Sequence, residues 1–248
     1  SATSGGASGA SVPVAGDNVF IESGYTITVT ANAACTNITF TNTGATLTVN
    51  STVTLTVSGT VTLDNLATGA TTCTITGSGT LSCASVAVGS PKNTPAGLIS
   101  YNSHTLTCTI ATLIISGNLA VKSYNSGLNF RNGVFNLASG IATVEGSVTT
   151  ANANVLNSST FSMATGVESG TLILSGTTPF NLSGTGINTL HLDGASSLVN
   201  YNYSGAQTAY GTPYTNLTLA GSGAFTVTGV TVNGILSMEG TSTAAGTA

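Results

Sequence analysis

The chain has 248 residues and a mass of 24.3 kDa, enough for one large β domain with a continuous core. Only 4% of the residues are charged, and the 3 Lys+Arg against 7 Asp+Glu leave a net charge of −4. Lys92, Lys122 and Arg131 are too few and too scattered for a nucleic-acid binder, and no run of about 18 apolar residues exists to form a membrane-spanning helix. Strands of four to six residues and the absence of Trp also argue against an outer-membrane barrel. Hydrophobic residues make up 41% of the chain, which argues against disorder.

Residues 1–16, SATSGGASGASVPVAG, are small, Gly/Ser-rich and unpatterned. They read as a flexible N-terminal arm ahead of a single domain over 17–248. The pattern starts with NVFI at 18–21 and YTITV at 25–29. Residues 45–63, ATLTVNSTVTLTVSGTVTL, then hold one alternation in which Leu47, Val49, Val53, Leu55, Val57, Val61 and Leu63 are apolar. Period two places one side chain inward and the next outward, so these are half-buried strands. Their Val, Ile and Thr are β-branched and favour extended backbone. Val53, Leu55 and Val57 share one face, read as inward.

Similar signatures recur: TNITF at 36–40, GTVTL at 59–63, GTLSC at 79–83, VFNL at 134–137, TFSM at 160–163, TLHL at 189–192, TNLTL at 215–219 and GILSM at 234–238. Spacings of about 20–30 residues mark a solenoid, and no helical pattern separates the strands. The fold class is therefore all-β: a parallel β-helix of roughly eight to ten coils, right-handed by the crossover rule. Residues 84–104 carry two of the five prolines, Lys92 and His104, and read as an insertion leaving the coil. Tyr201, Tyr203, Tyr210 and Tyr214 cluster in NYNYSGAQTAYGTPY and form a candidate ligand or partner surface.

Four cysteines, an even number, fit an oxidising compartment. TLSC at 80–83 and TLTC at 105–108 share a register. This predicts a disulfide between Cys83 and Cys108 one coil apart, and by elimination a second between Cys35 and Cys73.

The acidic residues Asp17, Glu22, Asp64, Glu145, Glu168, Asp193 and Glu239 are scattered, and His104 and His191 are isolated. Neither the grouped carboxylates of a hydrolase nor a metal-ligand spacing is present, so no catalytic, metal or cofactor site is expected. Sequons stand at Asn37, Asn50, Asn157, Asn181, Asn202 and Asn216. Thr-x-Thr pairs such as Thr54 and Thr56 would suit ice binding, but the drifting repeat length argues against a flat, regular face.

Two stretches carry a family resemblance. LVNYNYSGAQTAYGTPYTNLTLAGSGAFTVTGVTVNGILSMEG resembles the repeat units of large secreted bacterial β-solenoid surface proteins. Those units run from a tyrosine-containing turn through YxNLTLxGSG and an alternating strand to VNGxL; the matches here are residues 214–223 and 232–236. GDNVFIESGYTITVTANAACTNITF looks like the opening coil of the same proteins. The resemblance implies an extracellular adhesin, matrix protein or filament subunit. Sparse charge and a coil with open ends point to a structural protein that polymerises head to tail with copies of itself. The alternative is an adhesin segment that binds carbohydrate or a surface.

Overall fold

The computed structural model describes residues 13–64, 69–89, 100–126, 129–163 and 169–246. Among them the regular structure is entirely β, as the alternation requires. The first turn of the coil comprises β1 (Asn18–Ile21), β2 (Thr26–Val29) and β3 (Ala33–Cys35). β4 (Asn37–Phe40), β5 (Thr46–Val49) and the first half of β6 (Thr54–Leu63) form the second. β6 bends at a register shift between Val57 and Thr60 and begins the third turn, which β7 (Thr71–Thr76) and the start of β8 (Thr80–Val88) complete. Next come the rest of β8, β9 (Ser100–Cys108) and β10 (Thr112–Ile115). β11 (Leu119–Lys122), the short β12 (Tyr124–Ser126), β13 (Asn129–Leu137) and β14 (Ile141–Val144) follow. β15 (Val148–Asn152), β16 (Ser158–Ser162) and β17 (Thr171–Leu174) make one further turn, and β18 (Phe180–Gly184), β19 (Ile187–His191) and β20 (Leu198–Tyr201) another. The last strands are β21 (Gln207–Ala209), β22 (Pro213–Tyr214), β23 (Asn216–Leu219), β24 (Ala224–Val227), β25 (Thr231–Val232), β26 (Leu236–Met238) and β27 (Thr243–Ala245).

Strands stack on their counterparts one turn away to give three faces. One face runs β1-β4-β6-β8-β11-β15-β18 and a second runs β2-β5-β7-β9-β13-β16-β19. The third runs β3-β6-β8-β10-β14-β17-β20-β23-β26. Every pairing in these ladders is parallel; the one antiparallel pair among the described residues is β12 with β13. The nine strands of the third face give nine turns, within the expected eight to ten, and the fold is a parallel β-helix. Its core is made of columns with one side chain per turn. Cys35, Val57, Cys83, Ile115, Val144, Leu174, Tyr201, Leu219 and Met238 are consecutive partners along the third face. All but Met238 are buried, and each large apolar member contributes about 1.5–3 kcal/mol.

The coil swells and narrows again. One turn takes 19 residues at β1 (Asn18 to Asn37) and 33 at β8 (Val86 to Leu119). It returns to 19 at β23 (Leu217 to Leu236) and at β24 (Ala224 to Thr243). The wider middle is filled by aromatic side chains, with the Phe135 and Phe161 rings stacked at 5.8 Å. Corners are bracketed by asparagines whose carbonyl oxygens accept a backbone N–H from the next turn. Asn32 accepts from Thr54, Asn37 from Thr60, Asn118 from Ser147, Asn132 from Ser158 and Asn216 from Ile235, all at 2.8–3.0 Å. Gly140 turns a corner at φ +77°, where a Cβ would collide with the Ile110 carbonyl oxygen.

Two expected segments differ from the structure. Of the insertion expected at residues 84–104, residues 84–88 belong to β8 and 100–104 to β9; residues 90–99 lie outside the described residues. The broken alternation around Pro91 and Pro95 made strand ends read as loop. Of the arm at residues 1–16, residues 1–12 lie outside the described residues. The Thr36 hydroxyl donates to the Ala15 carbonyl at 2.8 Å, so the end of that segment is bound to the second turn.

Candidate functional site

Each end of the coil presents three strands paired on one side only. Among the described residues β1, β2 and β3 pair only with β4, β5 and β6, and β25, β26 and β27 pair only with β22, β23 and β24. Their other edges offer free N–H and C=O groups. Between these edges the apolar interior opens to solvent. At the β1–β3 end a cavity of about 390 Å³ is lined by residues that include Ile21, Ile27, Val29, Leu47 and Leu55. At the opposite end a cavity of about 440 Å³ is lined by Leu217, Leu219, Val227, Val232, Leu236 and Met238 among others. Inward residues in mid-coil, such as Leu113 and Val144, are fully covered. Ile27 is 42% exposed, Met238 49% and Leu236 57%. Sequence reasoning did not single out these rim residues; their signal is inward parity in the first and last copies of the strand pattern.

The tyrosine surface requires correction. Tyr201 and Tyr214 lie in the core, and only Tyr203 and Tyr210 reach the surface. The Tyr210 N–H donates to the Tyr201 hydroxyl at 3.0 Å, and the Tyr214 hydroxyl donates to the Tyr210 carbonyl at 2.7 Å. Phe180 packs against Tyr201 and Tyr210 at ring distances of 6.3 and 5.9 Å. Burial raises the Tyr201 phenol to about 12 and raises that of Tyr214 as well.

The disulfides require correction too. Cys35, Cys73, Cys83 and Cys108 are free buried thiols. Cys83 stacks between Val57 and Ile115 on the third face, whereas Cys108 stacks between Ile75 and Leu137 on the second. The shared TL-x-C register therefore belongs to different sheets. Cys35 and Cys73 are divided in the same way, and the Cys73 thiol donates to the Asn42 carbonyl at 2.9 Å. Burial raises all four thiols, Cys83 and Cys108 to about 12. They act as small apolar side chains.

Inside the wide turns lies a polar cluster. His104 stands between Thr71 and Gly133 in the second face, fully buried, with neither ring nitrogen hydrogen-bonded. Its pKa is lowered to about 4, chiefly by burial and then by the Arg131 charge, with Asp64 opposing both. Arg131 is itself buried, and desolvation lowers its pKa against the opposing charge of Asp64. A second group joins turns by side chains: the Ser123 and Ser159 hydroxyls donate to the Asn152 carbonyl oxygen, and the Asn152 amide donates to Asn188 at 2.8 Å. Among the described residues no three His, Cys, Asp or Glu side chains gather as metal ligands, and no helix is long and apolar enough to cross a membrane.

Of the six sequons, Asn157 is buried and donates to the Tyr124 and Arg131 carbonyls, and Asn37 and Asn216 bracket corners. Asn50, Asn181 and Asn202 are exposed. Comparison with protein-family models, with curated proteins and with solved structures finds no match.

Proposed function

We propose that this chain is a non-catalytic extracellular structural protein whose copies associate end to end into a cell-surface filament or matrix. The observation that carries this reading is the pair of open apolar ends, which expose Ile27 at one rim and Leu236 and Met238 at the other. Burying such surface against the opposite end of another copy is worth about 25 cal/mol per Å² of apolar area. A head-to-tail contact between different ends is heterologous, and it grows into a fibre when its rotation does not close a ring. With 4% charged residues, little electrostatic repulsion opposes close stacking. The extracellular assignment rests on the resemblance and on this composition, and the cysteines contribute nothing to it. Electron microscopy of the full-length natural chain over a concentration series tests the proposal: fibres are expected, and a monodisperse monomer at high concentration overturns it.

A second reading is an adhesin segment that binds carbohydrate. It is favoured by Tyr210, which is 37% exposed and braced by Phe180 as a stacking platform for a sugar ring. Isolated rods that bind glycans, with loss of binding in Tyr210→Ala, would support it over the first.

A further inference from the structure

The two rims are similar in perimeter. At the β1–β3 end one turn takes 19 residues from Asn18 to Asn37, 20 from Thr26 to Thr46 and 22 from Ala33 to Leu55. At the β25–β27 end it takes 18 from Pro213 to Thr231 and 19 from Leu217 to Leu236 and from Ala224 to Thr243, although the turns between reach 33. Among the described residues each rim also presents three free strand edges, and the cavities behind them, about 390 and 440 Å³, are close in size. Strand direction selects the pairing. The ladders of all three faces are parallel, so a head-to-tail junction continues them with parallel neighbours. A junction of like ends would set strands antiparallel.

From these matches we infer that the partner of each rim is the opposite rim of a second copy, joined strand on strand so that the β-helix runs through the junction without interruption. The inference rests on the end-to-end reading and adds its geometry. β1, β2 and β3 of one copy complete the ladders left open by β25, β26 and β27 of the next. Ile27 and Val29 then meet Val232 along the second face, and Ala33 and Cys35 meet Leu236 and Met238 along the third, as inward residues meet at every turn within the chain. The similar perimeter is what allows this. A 19-residue turn laid on a 33-residue turn would leave about 14 residues of the larger rim unpaired and its interior wet. The taper at both ends is the feature that makes the chain stackable on itself.

Blocking one rim at a time tests the junction. Ile27→Glu blocks the β1–β3 rim and Leu236→Glu blocks the opposite rim. Both sites are exposed in the single chain, so each variant should keep the wild-type circular dichroism and melting curve. Each variant alone should lose fibres and sediment as a monomer. A 1:1 mixture should give particles of twice the monomer mass, because one good rim of each kind remains. Fibres from either variant alone would overturn the junction while leaving end-to-end or lateral assembly standing. Dimers from Leu236→Glu alone would show that like rims join, which also overturns it. Absence of fibres from the wild-type chain would overturn the assembly reading itself. Should a variant melt early, hydrogen exchange on the wild type decides the matter. Rim amides of β2 and β26 should exchange quickly in the monomer and slowly in the fibre, with β10 and β14 slow in both. Unchanged rim exchange on assembly overturns the junction.

Discussion

The hydroxyls of Tyr201 and Tyr214 lie 2.8 Å apart inside the coil, and their protons have fixed destinations. Tyr214 gives its proton to the Tyr210 carbonyl, so Tyr201 is the donor between the two hydroxyls. The Tyr201 oxygen in turn accepts the Tyr210 N–H. The three groups close one circuit across the turn that joins β21 to β22. Tyr214→Phe strands the Tyr201 proton, while the Tyr210 carbonyl keeps the Thr212 N–H at 2.9 Å, and should cost about 1–3 kcal/mol in denaturant unfolding. Tyr201→Phe strands the Tyr210 N–H and should cost a similar amount. The double variant should lose less than the sum, since the second change removes a group already unpaired. Strict additivity would mean that the circuit does not act as a unit.

Leu55 and Thr54 are neighbours on opposite sides of β6. Leu55 is 5% exposed and stacks between Ala33 and Leu81, while Thr54 lies on the outer side. Leu55→Asp removes an apolar contact and buries an unpaired carboxylate, and should cost about 3–5 kcal/mol or prevent folding. Thr54→Asp should stay within about 1 kcal/mol. Thermal melts of the two variants check this, and equal losses would reverse the inside and outside of the coil.

That alternation was legible because a half-buried strand has period two whatever its partners. The same regularity hid which sheet a strand joins. The second and third faces both use Thr-Leu-Thr rows, so TLSC in β8 and TLTC in β9 look like successive rungs of one ladder although they occupy two. Tyr201 was legible in principle, since the alternation from Val199 points it inward. Tyr214 was not: a corner lies between it and Leu217, and parity does not survive a corner. Open ends were legible as a consequence of the solenoid, but which side chains line them was not, because Ile27, Leu236 and Met238 carry the same pattern as core residues.

The buried imidazole of His104 makes stability depend on acid. Its pKa is lowered from 6.5 to about 4 in the folded chain, so the unfolded chain binds the proton more readily. Stability should therefore be fully present above pH 6.5, fall as pH drops through the window from 6.5 to 4, and stop falling from this cause below it. The shift corresponds to about 3 kcal/mol. Denaturant unfolding at a series of pH values should show this slope in the wild type. It should be reduced in His104→Gln, which cannot take up the proton.

The four thiols should be silent in the native chain. Cys35, Cys73, Cys83 and Cys108 are each at most 3% exposed, and burial holds them protonated at neutral pH. Alkylation followed by mass measurement should add no label to the folded protein and four labels after denaturation without reductant. Fewer than four labels in that second step would reveal a disulfide.

The swelling of the coil also has a mechanical side. In a β-helix the ladder hydrogen bonds point along the axis, so a pull from end to end loads every bond of a turn at once. Wide turns such as that through β8, β9 and β10 share the load over the nine-residue ladder of β9 with β13. A narrow turn shares it over rungs as short as the two pairs of β22 with β25. Tension would therefore concentrate where the molecule is thinnest. A stretched fibre of such molecules should part near their tapered ends and release whole, still folded coils, so that the break is clean and the pieces are fit to join again.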